Sequence, residues 1–340
     1  MMKIRVAKWA GALLFILLAA ITFESYTQAA VPVSQRFDLT DPSTQLIRSK
    51  ALHNNTVLQS FAFDNTNKKI FTVQLMAGGQ QLPGESAPVS GANRALNGDL
   101  CVTKLDLSGN VEGYMFLKGF GHGVQIGAEP VGSASYLWTE VDALSDGTSG
   151  WGSKLARFQF VNGQVLTSAS SSLTKFELVP GADRTTVNID MTHGYLTMRY
   201  REDGSFRYGV YSLAQVKAGN YTAFADIAQP SGLGTFQGFT SFGSTLYLLE
   251  GNSYNSTTSI YPNGNTYITS VNLNNGIVSD KQLTKAGYTL TFREPEGMAV
   301  QIPDTNHPEN ARLGIGLAST VSESNTSKLA SIYYKDSLTD

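Results

Sequence analysis

Residues 237–242 read QGFTSF, and the phrase returns in altered form as QSFAF at 59–63, HGVQI at 122–126 and EGMAV at 296–300. Each copy opens on a polar residue and continues with Gly or Ser. Each then alternates apolar residues in the period of a half-buried strand. Second runs follow across polar turns: IFTVQL, YLWTEV, LYLLEG and ARLGIGLA. Third runs follow again, in CVTKLDLSG, KLARFQFVNG, YITSVNLNNG and KLASIYYKD, and a fourth is visible in VEGYMFLKG. Gly, Asn, Asp and Pro separate the runs, as turns between short strands require.

The interval between 122 and 237 holds one further unit, with RTTVNID, YLTMRYR and FRYGVYSL as its first three strands. Matching strand ends sets Thr185 opposite Gln59, with Arg184 adjacent, and makes His193 a turn residue. Five units opening roughly 45 to 65 residues apart give the period of a propeller blade. The expected fold is therefore all-β, a five-bladed β-propeller filling residues 31–340 as a single domain. The last unit ends after its third strand. SQRFDLT at 34–40 is expected to supply the missing outer strand, closing the ring by pairing the two ends of the chain. Paired β-sandwiches would explain the strands but not the repeated phrase.

Composition agrees. The 340 residues are 41% hydrophobic and 15% charged, with 33 glycines and a formal net charge of −2. A charge this close to zero argues against nucleic acid or a polybasic membrane surface as partner. The N-terminus places Lys3, Arg5 and Lys8 before an apolar run from Trp9 to Phe23, with small residues near Ala29 and Ala30. That is the plan of a signal peptide over residues 1–30. The expected protein is secreted or surface-associated in a Gram-positive bacterium, without integral membrane contact after cleavage. Cys101 is the single cysteine and sits in an alternating strand, which makes it a core residue rather than a nucleophile.

In a propeller, the start of each blade's first strand and the end of its second lie on one face. The first positions are Gln59, His122, Thr185, Gln237 and Glu296; the second are Gln74, Glu140, Arg199 and Glu250, with only apolar or small residues near Leu317 in the fifth unit. These polar groups are expected to converge on one mouth of the channel. The long connections 76–99, DALSDGTSGWGS, GNSYNSTTSIYPNGN and STVSESNTS open on the same face and carry Trp151, Tyr254 and Tyr261. Aromatic rings beside amides and hydroxyls suit sugars.

QSFAFDNTNKKIFTVQL, GDLCVTKLDLSGNVEGYMFLKGFGHGVQIGAE and YLWTEVD resemble a family of bacterial and phage propellers. That family includes the secreted teichoic acid biosynthesis protein C of bacilli and the receptor-binding propellers of staphylococcal phages. The resemblance is densest over 55–165, with GFGHG followed by WTE its most specific part. It implies the propeller fold and recognition of cell-wall glycopolymers, and it implies no catalytic residues. A looser similarity links the chain to secreted helveticin-type bacteriocins.

Three functions compete. A binding module would hold a teichoic-acid-like polymer or another glycan. In it Gln59, Gln74 and Gln237 meet hydroxyls, His122 and Arg199 meet phosphate, and Trp138 and Trp151 stack on sugars. A hydrolase or lyase would pair two of Glu140, Glu250 and Glu296, with His122 moving a proton. A bacteriocin would use the same face to find its target. HExxH, GxSxG, P-loop and cysteine-cluster motifs are absent. Asp304, His307 and Glu309 crowd one loop but read as solvated, so neither metal nor cofactor is expected.

Overall fold

The computed structural model describes residues 30–340, so the expected signal peptide lies outside the described residues except for Ala30. Five antiparallel sheets follow one another along the chain. Blade I is Leu58–Asp64, Lys69–Leu75, Leu100–Asp106 and Val111–Lys118; blade II is Gly127–Val131, Ala134–Val141, Lys154–Gln159 and Thr174–Phe176. Blade III is Asp183–Asp190, Tyr195–Glu202, Ser205–Ser212 and Ala223–Ala228; blade IV is Phe236–Phe242, Thr245–Glu250, Tyr267–Asn272 and Val278–Leu283. Blade V is Thr291–Gln301, Arg312–Thr320 and Leu329–Lys335, completed by Thr44–Lys50 from the start of the chain. The five inner strands touch in a closed ring, each against the inner strands of both neighbouring blades.

The core is correspondingly divided into wedges between adjacent blades. Phe71, Val102 and Met115 of blade I pack on Leu137 and Phe158 of blade II. Trp138 and Leu155 of blade II pack on Leu196, Met198 and Tyr211 of blade III. Tyr208 and Val210 meet Phe239 and Leu248 across the next junction, and Tyr247 and Ile268 meet Met298 and Ile315 across the fourth. Phe61 and Ile70 meet Ala299 and Ile332 at the fifth. Alternating strands buried on both faces in this way account for the high content of aromatic and β-branched residues.

Two sequence expectations about the strands need correction. The outer strand of blade V is Thr44–Lys50, not 34–40. The earlier segment alternates as a strand does, but Asp41-Pro42 turns the chain after it. There Pro supplies no N–H for a ladder. The two ends of the chain nevertheless pair: Arg36–Phe37 bonds to Leu338–Thr339, while Phe37 and Leu39 fill the wedge between blades IV and V. Secondly, the inner strand of blade II starts at Gly127, so HGVQI forms an irregular segment leading into it rather than the strand itself. Blade I also carries an outer fifth strand, Val165–Thr167, lent in parallel by the connection between the third and fourth strands of blade II.

The expected turn at His193 is present, with its Nδ1 2.7 Å from an oxygen of Asp190. Cys101 is fully buried.

Candidate functional site

The repeated phrase marks a β-bulge. In four blades the register of the first two strands slips at that point: between Leu58 and Ser60, Asp183 and Thr186, Phe236 and Gly238, and Pro295 and Met298. A bulge leaves a residue unpaired and re-aims its side chain. Gln59, Arg184, Gln237 and Glu296 are the residues so released, and all four line one cavity at the mouth of the channel.

The small residues beside Gln59, Gln237 and Glu296 have a separate purpose. A Cβ on Gly238 would stand 2.6 Å from the Gly297 Cα, and one on Gly297 would stand 2.6 Å from the Ser60 Cα. Ser60 donates in turn to the Gly123 carbonyl at 2.6 Å. Neighbouring inner strands thus close backbone to backbone beneath the polar mouth. The buried side chain of Gln125 bridges the channel, donating to the Met298 carbonyl of blade V at 2.8 Å.

The cavity measures about 210 Å³ and is lined by Gln59, His122, Val124, Trp151, Arg184, Arg199, Phe206, Phe236, Gln237 and Glu296. Six of the residues singled out for binding meet there: Gln59, His122, Trp151, Arg199, Gln237 and Glu296. Gln74, Trp138, Glu140 and Glu250 do not line it, and the structure gives each another task. Trp138 is fully buried, stacks on Phe176 at 4.9 Å and donates its Nε1–H to Glu129.

Gln74, Glu140 and Glu250 share one role at the ends of second strands. Gln74 donates to the carbonyls of Asn54 and Thr56. Glu140 accepts from the amides of His122, Gly123 and Gly152 at 3.0, 2.6 and 2.6 Å. Glu250 accepts from the Gly234 amide at 2.6 Å and pairs with Lys281. Each ties down the backbone that leads into its own blade's inner strand. The pattern of polar residues at this position was legible in the sequence, but its purpose is to satisfy backbone groups that no ladder serves.

The GFGHG segment follows from this clamp. A Cβ on Gly121 would stand 2.1 Å from a Glu140 carboxyl oxygen, and one on Gly152 would stand 2.4 Å from the Glu140 Cβ. Only glycine leaves room for the carboxyl group between the two loops. The clamp holds His122 and Trp151 together, their rings stacked at 4.4 Å and 14°. The Arg184 guanidinium lies 4.3 Å from the same indole, and Asp146 accepts from both the Trp151 Nε1–H and Arg184. Trp151 is thus a wall of the cavity, already engaged with His122, Arg184 and Asp146.

Arg199 is the exception among the second-strand ends. Its guanidinium lies 3.5 Å from the Phe206 ring and 3.9 Å from the Phe236 ring, and its Nε donates to Gln229 at 3.0 Å. No carboxylate pairs with it among the described residues, although the residue is only 5% exposed. Burial lowers its pKa without approaching the range where Arg loses its charge. A fixed, desolvated, unpaired cation at the mouth of a cavity is a site for an anion.

The other groups suit the same ligand. Burial pushes the His122 imidazole down to about 4, and its Nδ1 is buried without a hydrogen-bond partner. The ring is neutral near pH 7, offering one donor and one acceptor. Burial, reinforced by Glu294, raises the Glu296 carboxyl well above its usual range. The shift favours the protonated form, which donates a hydrogen bond and repels an anion at Arg199 less than a carboxylate does. Gln59 makes no side-chain hydrogen bond within the described residues, and Gln237 spends one donor on the Gly251 carbonyl.

The long connections are ordered from within. In 76–99 the buried Arg94 bonds Glu85 and Asp99, and Gly91–Asn97 forms a helix capped by Ser90. Sequence reading missed this network, whose signal was the acidic and basic residues inside an otherwise polar loop. Asp304, His307 and Glu309 lie at the opposite end of blade V, where His307 meets Glu309 in solvent. Among the described residues no group of three His, Cys, Asp or Glu is placed to hold a metal ion.

Fold and mouth together define a five-bladed propeller that gathers polar side chains from every blade at one end of a blocked channel. The chain belongs to the family described as the phage 5-bladed beta propeller receptor binding platform domain, whose model matches residues 57–333. It is 28% identical over 288 residues to a protein of Bacillus subtilis (strain 168) described as "Putative major teichoic acid biosynthesis protein C". That match covers 82% of this chain and 60% of the relative. The tail fiber of Staphylococcus aureus phage P68 superposes with a TM-score of 0.64 at 19% identity, covering 88% of this chain and 54% of that one. The chain thus spans a little over half the length of each protein.

Proposed function

We propose that this protein recognises a cell-surface glycopolymer through the mouth of its propeller, and that the polymer is a teichoic-acid-like chain of polyols and phosphates. Membership of a receptor-binding propeller family supports surface recognition. The printed name of the Bacillus relative supports the polymer class. The observation that carries the reading is Arg199, a buried cation with no carboxylate in salt-bridge contact, in a cavity that it shares with Arg184, Gln59, Gln237, His122 and Glu296. Phosphate takes the guanidinium, and hydroxyls take Gln59, Gln237 and Glu296. The reading places the protein outside the cell, at a Gram-positive wall.

Cleavage of the polymer is less well supported. Two-carboxylate hydrolysis needs an acid and a base or nucleophile about 5 to 9 Å apart across one bond. Glu140 and Glu250 are bonded to backbone, and Glu296 is the one carboxyl group lining the cavity. His122, neutral near pH 7, is a poor proton shuttle at that pH.

A pull-down on Gram-positive walls, with and without chemical removal of teichoic acid, tests the reading when release of phosphate and reducing sugar is followed in parallel. The expected result is binding that disappears with the teichoic acid and yields no product. Arg199→Ala should weaken binding by roughly tenfold or more, the worth of one charged hydrogen bond. Product release that is lost in Glu296→Gln would make the protein an enzyme instead.

A further inference from the structure

The mouth does not stand alone. Gln59 is also part of the wall of a second space of about 490 Å³, between blades I and V, which includes Asn55, Thr56 and Lys328. Lys328 and Thr326 belong in turn to a third, of about 590 Å³, reaching Tyr254 and Tyr261 on blade IV. Shared walls set the three spaces side by side in the line of a trough. It runs from the channel outward past Gln59, turns at Lys328 and ends at Tyr261. All of it lies on the face where second and third strands are joined.

We propose that this trough holds several consecutive units of one polyol-phosphate chain, with the mouth as the subsite for a single unit. The inference rests on the function proposed above and extends it from a pocket to a polymer track. Three observations carry it. The mouth, at about 210 Å³, is smaller than the roughly 300–1,000 Å³ of pockets that enclose a whole drug-sized ligand. The two further spaces are larger, the second sharing Gln59 with the mouth and the third sharing Thr326 and Lys328 with the second. The trough also has a second unpaired cation: the Lys328 Nζ lies 3.7 Å from the Phe292 ring and forms no salt bridge among the described residues. Glu294 and Glu323 are the acidic groups near it. Between Arg199 and Lys328 the walls offer Gln59, Asn55 and Thr56, which are uncharged donors and acceptors. Cations separated by amides and hydroxyls match a chain in which phosphates are separated by polyols. At the far end, Tyr261 is 61% exposed and provides a ring for a sugar substituent.

Titration of the purified protein with glycerol 3-phosphate and with poly(glycerol phosphate) fractions of graded length tests this. The expected affinity, expressed per repeat unit, rises with length and then levels off once the trough is filled. Lys328→Ala should lower affinity for long fractions about tenfold and leave glycerol 3-phosphate unchanged, whereas Arg199→Ala should weaken both. Constant affinity per unit, or a Lys328→Ala protein indistinguishable on long fractions, would overturn the trough while leaving the mouth in place. Binding to intact walls without binding to any fraction would overturn the polyol phosphate as occupant. Failure to bind walls or fractions would remove the proposed function and the trough together.

Discussion

Glu140 and Arg199 occupy equivalent places in consecutive blades and do opposite things. A carboxylate at the end of a second strand accepts backbone amides, so Glu140 organises the lead-in to its blade. Arg has no acceptor and cannot do this. Its guanidinium lies between two phenyl rings and stays available to a ligand. Burial pushes the Glu140 carboxyl up to about 7, against the pull of its amide donors. Its folded pKa therefore exceeds the ordinary 4.5, and its protonated form favours the fold. That contribution is complete below pH 4.5 and is lost as pH rises through about 7. Glu140→Gln keeps one acceptor but turns an NH₂ towards backbone donors, and should cost about 1–3 kcal/mol in denaturant unfolding. The gap between the two proteins should shrink as pH rises from 4.5 to 7. Comparing them removes the opposite slope contributed by His122, whose lowered pKa is common to both. A gap that widens with pH would mean that the amides hold Glu140 ionised.

The bulged inner strand is the element on which the site depends. Polar residue and small residue are neighbours in sequence because the bulge sends one to the mouth and presses the other against the next blade. Gly297 shows both constraints: its φ is +74°, and an added Cβ would meet Ser60 at 2.6 Å. Gly194 has nearly the same φ, +72°, with nothing within 4 Å. Gly194→Ala should therefore pay only for the left-handed backbone, about 1–2 kcal/mol. Gly297→Ala should pay that and a further 1–3 kcal/mol or so for overpacking. Thermal unfolding of both variants checks this, and equal shifts would sink the close-contact account. The repeat of the phrase was legible in the sequence, because strand alternation needs only neighbouring residues. The bulge was not, because a register slip is defined by the partner strand. HGVQI misled for the same reason: it has the phrase, but its Gly-rich backbone goes to the Glu140 carboxyl instead of a ladder.

The ring is closed by non-covalent pairing of the chain's two ends. The outer strand Thr44–Lys50 covers the edge of Leu329–Lys335, and Phe37, Leu39 and Ile47 are buried in the wedges on either side of blade V. Each such side chain contributes about 1.5–3 kcal/mol of burial. A protein beginning at residue 51 loses all three and exposes an unpaired edge. It should aggregate or unfold without cooperativity, as seen by size exclusion and calorimetry, while one beginning at residue 30 should match the full chain. An unchanged midpoint for the shorter protein would show that the ring does not need its closing strand. Val31 and Ser34 bond to Asn274 and Ser244 at hairpins opposite the mouth.

By itself the sequence determined the all-β class, five repeats, the pairing of the two chain ends and the face on which polar groups gather. All of these follow from alternation, turn residues and period, which are local and survive without knowledge of neighbours. Tertiary structure decided which polar groups are free. Gln74, Glu140 and Glu250 read the same as Arg199 along the chain. What separates them is whether orphan backbone groups lie within reach, and that depends on loops and strands far apart in sequence. It decided likewise that Trp138 fills the wedge between blades II and III, because an alternating strand buried on both faces does not declare which of its aromatic residues faces a ligand.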